Sequence, residues 1–218
     1  MMKAQLTIQQ LLLAAADFTQ IESTHNEPAL YGVTDGKRVG TYWEHKFMDY
    51  LSENYSYQRG NSAAGIDIPD LEVDIKTTSI KQPQSSFPFK SATQKIFGLG
   101  YNLLVFVYAK YDNHQTRTGR LEIQHTIFLD KSRTADFQTT AGLLDIISHN
   151  GKKDDIIAFL MSRNLPVDDI VVSQLAERIL ESSPNQGYLT VSNALQWRLQ
   201  YNRVIQEAGN ISGIIRVG

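Results

Sequence analysis

The sequence predicts an α/β protein, and three features carry that reading. Apolar residues recur at helical spacing near the start of the chain and again over residues 39–54. The run 103–109 (LLVFVYA) is nearly continuous in apolar and β-branched residues, the pattern of a strand buried on both faces. Shorter β-favouring stretches flank it, so a helix followed by a four-strand run forms an α/β core within about residues 39–130.

The first helix starts near Thr7, with Ile8, Leu11, Leu12 and Ala15 at helical spacing. Residues 19–38, rich in Thr, Asn and Gly and containing Pro28, read as an irregular connection. A second helix runs over about 39–54, where Tyr42, Trp43, Phe47, Tyr50 and Leu51 offer a buried stripe. A polar loop at 58–64 leads to two short strands at 66–68 and 72–77, joined by the turn-forming Pro69-Asp70. Another loop, 81–90, is broken by Pro83 and Pro88 and precedes a short helix at 91–97. Beyond Gly119 a second long strand covers 121–129.

The remainder reads as mainly helical, over 134–149, 154–164 and 168–182. A strand at 188–191, a helix from Ser192 to about Ala208 and a last strand at 211–217 close the chain. One continuous domain over 1–218 is expected, with its core at about 39–130 and a mainly helical C-terminal part at about 134–218.

At 218 residues, 42% hydrophobic, 20% charged and net charge −2, the chain can bury a sizeable core and has no strong overall charge bias. The absence of cysteine excludes disulfides and thiolate metal sites. The apolar run at 11–16 is far too short to span a bilayer, and no basic segment precedes a cleavable apolar one. A cytoplasmic protein with no membrane partner is therefore expected. From Lys76 to Arg133 there are nine basic residues against three acidic ones. That surplus suits a polyanion partner, and a well-solvated surface would carry it equally.

Residues 65–78, GIDIPDLEVDIKTT, place four carboxylates (Asp67, Asp70, Glu72 and Asp74) in an otherwise apolar, β-favouring stretch. Carboxylates in a sheet core are costly unless paired or bound to a cation. On a strand, Asp74 and Lys76 project to one side while Val73, Ile75 and Thr77 face the other. A hairpin turning at Pro69-Asp70 brings Asp67 beside Asp74. Two carboxylates that close repel unless a cation bridges them, and an oxygen-lined corner suits a hard divalent ion, Mg²⁺ first. Lys76 is then left to orient a water or to neutralise developing phosphate charge. A surface ion pair between Asp74 and Lys76, with Asp67 capping a turn, would use the same letters.

The run Asp67-Ile-Pro-Asp-Leu-Glu-Val-Asp74-Ile-Lys76-Thr resembles the active-site signature of the PD-(D/E)xK nuclease superfamily. Within it, the run is similar to that of the mismatch-repair nickase MutH, where an Asp, an apolar residue, a Pro, an acidic residue and Leu lead into Val-Glu-Leu-Lys-Thr. The literal Pro69-Asp70 pair leaves only three residues before Asp74, so Asp67 is the better first carboxylate. Upstream, Val39-Gly40-Thr41-Tyr42-Trp43-Glu44 resembles the Val-Gly-x-x-x-Glu that opens the helix before the site in this family. The likeness covers 39–78 well and the strand order to about 130 loosely.

It implies a restriction-endonuclease-like core, a mixed central sheet flanked by helices. It also implies that Asp67, Asp74 and the Ile75 carbonyl hold Mg²⁺, that Lys76 positions the attacking water, and that Glu44 supports it. Two departures stand out. Asp74 occupies the place of a Glu in the MutH pattern, and the additional downstream lysine of that family has no counterpart at Asn102-Leu103. Lys90 and Lys95 are candidates for it. These departures favour a restriction enzyme sharing the core over a MutH enzyme itself.

For such an enzyme the expected partner is double-stranded DNA, and a homodimer is one arrangement the reading allows. Thr77, Thr78, Ser79 and Lys81 directly follow the catalytic strand and suit phosphate contacts. Gln82, Gln84, Lys90 and, in the short helix beyond, Lys95 extend this donor-rich stretch, where Gln and Lys can read base edges. A polar loop of no special role would have the same composition. In the 192–208 helix, Gln196, Arg198, Gln200, Asn202 and Arg203 can face DNA, or Leu195, Trp197, Leu199 and Val204 can pack inward with the polar side in water. The sequence is read as a Mg²⁺-dependent type II restriction endonuclease. The alternatives are a MutH-like nickase and a non-catalytic DNA-binding protein, the latter disfavoured because Asp67, Asp74, Lys76 and Glu44 are all present.

Overall fold

The computed structural model describes residues 3–60, 65–87, 90–163, 165, 167–192 and 197–218. In chain order the elements begin with β1 (Ala4–Gln5), α1 (Ile8–Glu22), α2 (Gly36–Asn54), β2 (Tyr55–Ser56), β3 (Val73–Ser79) and β4 (Gln84–Ser86). Next come α3 (Thr93–Phe97), β5 (Asn102–Asn113), β6 (Thr118–Leu129), α4 (Phe137–Ser148), α5 (Lys153–Ser162) and α6 (Asp169–Glu181). The chain ends with β7 (Thr190–Val191), β8 (Arg198–Gln200), α7 (Asn202–Glu207) and β9 (Ile214–Arg216). It divides into two compact units, one of residues 1–85, 101–129 and 207–218, the other of 86–100 and 130–206.

The first unit is built on a four-stranded sheet in the order β3-β5-β6-β9. β3 runs parallel to β5, and the β5–β6 and β6–β9 pairings are antiparallel, so the sheet is mixed, as the sequence implied. Residues 102–108 of β5 are all buried, which accounts for their unbroken apolar run in the middle of the sheet. α1 starts where expected because Thr7 caps it, exchanging hydrogen bonds with Gln10 in a capping box. α2 starts three residues earlier than its apolar stripe suggests, since the Asp35 side chain accepts from the Lys37 and Arg38 amides.

The two helices cover one face of the sheet. Phe18 of α1 stacks against Trp43 and Phe47 of α2 at 5.0 and 5.2 Å, and both rest on Phe106 of β5. Val73, Ile75, Leu104 and Tyr108 join the same core.

Two expectations are corrected here. Residues 66–68 do not form a strand. Ile68 makes a single bridge with Val73, and residues 69–71 form one turn of 3-10 helix, with Glu72 left-handed at φ 52°. Pro69 lacks an amide proton and fixes its φ, so the chain turns at once instead of pairing further. The fourth strand of the sheet is instead β9, from the far end of the chain.

The helix expected at 192–208 is also absent as such; Asn193, Ala194, Leu195 and Gln196 lie outside the described residues. Residues 198–200 are a strand paired antiparallel with β7, and a helix begins only at Asn202. Trp-Arg-Leu-Gln-Tyr-Asn at 197–202 alternates apolar and polar at period two, the signal that names a strand there.

The second unit is mainly helical. Ile96, Leu143, Ile156, Leu160, Leu175 and Ile179 make its core, drawn from α3, α4, α5 and α6. Among the described residues no helix is long and apolar enough to cross a membrane.

Candidate active site

β3 lies at the margin of the sheet, so its outward backbone groups have no strand to pair with. They are satisfied one position after another. Val73 exchanges both hydrogen bonds with Ile68, at 3.1 and 2.9 Å. The Ile75 amide donates to Oδ2 of Asp67 at 2.7 Å, and the Thr77 amide donates to Oε1 of Glu44 at 3.0 Å. A strand residue presents its N–H and C=O on the same side, so the Ile75 carbonyl faces this margin too, between the two carboxylates.

Glu44 reaches the margin because α2 comes very close to β3. At Gly40, one helical turn before Glu44, a Cβ would stand 3.2 Å from the Thr77 carbonyl oxygen. The glycine in the Val-Gly-x-x-x-Glu pattern therefore sets the approach and the Glu one turn later uses it. Gly60 works similarly on the other arm. Its amide donates to the Asp67 carbonyl at 2.8 Å, and a Cβ there would lie 1.9 Å from the Ile66 carbonyl oxygen. No side chain fits at 60 without displacing the segment that carries Asp67.

Asp74 projects from the neighbouring position and is 5% exposed. Its Oδ2 stands 2.7 Å from Nζ of Lys76, and the Asp67 carboxyl is close enough to act on it electrostatically. Burial pushes the Asp74 carboxyl up to about 7 against the pull of Lys76, with the Asp67 carboxyl adding to the rise. Glu44 is also pushed up to about 7, again by burial first, opposed by Lys76 and by the Thr77 amide and reinforced by Asp67 and Asp74. The structure thus brings Asp67, Asp74, Lys76, Glu44 and Ile75 together at one corner. What offsets the carboxylates here is the Lys76 ammonium and two strand amides.

Asp70 is elsewhere. It is exposed in the 3-10 turn, where its Oδ2 accepts from the Gln58 amide at 2.9 Å.

The residues proposed for DNA separate in the same way. The Thr78 hydroxyl is buried and holds the following turn, accepting from the Gln84 amide at 3.0 Å and donating to its carbonyl. Thr77 is buried against α2, and Ser79 accepts from the Lys81 amide. Lys81, Gln82 and Lys90 are exposed, and Gln84 is half-buried. Lys95 is only 6% exposed, in the second unit, where burial lowers its pKa and the nearby Asp136 offsets part of that drop. The side chain is therefore largely covered by its own unit, unlike those of Lys81 and Lys90.

Among the described residues no group of three or more His, Cys, Asp or Glu side chains is placed to hold a metal ion. The corner offers the Asp67 and Asp74 carboxylates with the Ile75 backbone carbonyl alongside. All are hard oxygen donors, which fits an Mg²⁺-like cation and not a soft one.

These raised carboxyls have a consequence in metal-free buffer. The native state holds protons on Asp74 and Glu44 at pH values where the unfolded chain has lost them. Their contribution to stability is present below about pH 4 and is lost as pH rises to about 7. Relative to wild type, Asp74→Asn is therefore expected to gain on the order of 5 °C in melting temperature between pH 5 and pH 8. Thermal melts in EDTA check this; a variant less stable at pH 8 than at pH 5, relative to wild type, contradicts it.

A mixed sheet whose marginal strand gathers carboxylates and a lysine at one corner is an arrangement in which charge converges. Comparison with known proteins gives the family. Residues 5–216 match the family described as Type II restriction enzyme NspV, and the chain belongs to that family. The Type II restriction enzyme NspV of Nostoc sp. (strain ATCC 29411 / PCC 7524) is 60% identical over 212 residues, 97% of this chain and 96% of the relative. No solved structure matches the chain.

One group near the corner escaped the sequence reading. Tyr101, directly before β5, is buried within electrostatic reach of Asp74, Lys76 and Asp67. Its letter reads as an ordinary core aromatic, and only the parallel pairing of β5 with β3 brings it there.

Proposed function

We propose that the corner formed by Asp67, Asp74, Lys76 and Glu44 is the catalytic centre with which this type II restriction endonuclease hydrolyses phosphodiester bonds in double-stranded DNA. The observation that carries this reading is the convergence of Asp67 and Glu44 on the Ile75 and Thr77 amides of one strand, with the Lys76 ammonium on the buried Asp74 carboxyl beside them. A buried carboxyl with two more carboxyls close by is an expensive arrangement that a cation relieves. The pattern is that of a PD-(D/E)xK site with a MutH-like run, with the whole chain serving one nuclease.

Asp67, Asp74 and the Ile75 carbonyl would hold a divalent cation of the Mg²⁺ kind. When bound, such an ion offsets charge on the phosphate and lowers the pKa of a coordinated water. The rest falls to the chain's own groups. The Ile75 and Thr77 amides fix Asp67 and Glu44 in place, so neither carboxylate needs reordering when substrate arrives. Lys76 projects on the side of Asp74, where its ammonium can position the attacking water. Glu44, buried and raised to about 7, supports that water and can take up a proton near neutral pH.

The test is plasmid cleavage in Mg²⁺ and in EDTA, with the fragment ends mapped. Discrete double-strand ends bearing 5′-phosphates, in Mg²⁺ only, are expected, with two chains acting as a homodimer, one corner on each strand. Single nicks alone would point to a MutH-like nickase, and tight binding without cleavage to a non-catalytic DNA-binding protein.

The grip on DNA is assigned to the exposed Lys81 and Lys90. Each phosphate contact adds roughly 0.9 to the slope of log affinity against log salt. Replacing both with Ala is expected to flatten the slope by roughly two units and to weaken binding similarly on cognate and random duplexes. If either lysine instead reads a base, its loss costs about 1–3 kcal/mol at the cognate site alone. Salt titrations of the single and double variants distinguish the two, and unchanged binding would remove both from the grip.

A further inference from the structure

Tyr101 immediately precedes Asn102, which lies opposite Val73 of β3 in the parallel pairing; Leu103 in turn lies opposite Asp74. The side chain is 7% exposed, and its hydroxyl makes no hydrogen bond to any described residue. The hydroxyl is not among the fully buried polar atoms left without a partner, so it reaches water at the edge of the charged corner, where an entering ligand can replace that water. Its charged neighbours are Asp74, Lys76 and Asp67. Burial, reinforced by the Asp74 charge, pushes the phenol up to about 12, so it remains a hydrogen-bond donor across the neutral range.

We infer that the Tyr101 hydroxyl donates a hydrogen bond to a non-bridging oxygen of the scissile phosphate. The inference rests on the reading of Asp67 and Asp74 as the catalytic centre. A phosphate oxygen brought in by the substrate can take the place of the water on this hydroxyl. A neutral donor also suits the place, because it steadies phosphate charge without competing with a cation for Asp67 and Asp74. The residue stands at the start of β5, next to Asn102-Leu103, where the sequence lacks the additional lysine of MutH-like enzymes. Tyr101 is thus a catalytic residue in its own right.

Tyr101→Phe removes the hydroxyl and keeps the ring. Single-turnover cleavage is expected to fall by about tenfold to a hundredfold, the usual loss for one donor to a charged group. Melting temperature and duplex affinity in EDTA should stay close to wild type. The distinguishing readout is a substrate with one stereodefined phosphorothioate at the cleaved bond. Sulfur accepts hydrogen bonds poorly, so one diastereomer should slow wild type by a factor that shrinks at least about threefold in Tyr101→Phe, the other factor staying unchanged. Wild-type cleavage by Tyr101→Phe, or a slowed variant with both sulfur effects intact, overturns the inference. Asp74→Ala in the same assay separates the two levels. If Asp74→Ala still cuts, the catalytic centre itself is misplaced; if it is dead while Tyr101→Phe cuts at full rate, only the tyrosine assignment fails.

Discussion

Asp74→Ala is expected to abolish cleavage, lowering the single-turnover rate by at least about a thousandfold, while specific DNA binding in metal-free buffer persists. The carboxyl is the point at which the corner converges. It contacts the Lys76 ammonium at 2.7 Å and lies near Asp67, so its removal would take away one proposed oxygen ligand and a partner of the lysine together. The fold should tolerate the loss. Asp74 is buried and its charged form is disfavoured there, so nothing in the apolar core depends on the carboxylate. A variant that cuts at near wild-type rate would remove Asp74 from the chemistry, and a variant that no longer binds or folds would make it a structural residue.

The second large effect separates two aspartates that the letters alone hardly distinguish. Asp67→Asn is expected to be inactive, with a rate at least about a hundredfold down, whereas Asp70→Asn should stay within about threefold of wild type. Asparagine at 67 can still accept from the Ile75 amide but loses the charge that a cation needs beside Asp74. Asparagine at 70 can still accept from the Gln58 amide, which is all the structure asks of Asp70. Parallel cleavage assays on the two variants decide the matter, and the reverse result would transfer the first carboxylate to Asp70.

Much of the corner was legible in the chain because its geometry is local. Asp74 and Lys76 share a side by the alternation of one strand, and Gly40 and Glu44 share a face by one turn of one helix. The spacing of Asp67 from Asp74 needs only the turn at residues 69–71, although that turn proved to be a 3-10 helix after a single bridge and not a hairpin of two strands. The run at 103–109 announced its burial for the same reason, since a strand covered on both faces has no polar positions to show.

What the tertiary structure decided are the relations between distant segments. Alternation does not say which strand lies at the margin of a sheet; that follows from β5 pairing with β3 on one side and β6 on the other, and from β9 returning from residues 214–216. The margin is what lets Asp67 and Glu44 cap strand amides and lets groups from both faces of the sheet meet. The sequence places Lys95 in a donor-rich stretch, and only packing within the second unit shows it buried near Asp136. Tyr101 lies more than twenty residues from every other group at the corner, so no spacing rule reaches it. Periodicity is a property of neighbours in the chain, and a catalytic corner assembled across strands is a property of their pairing.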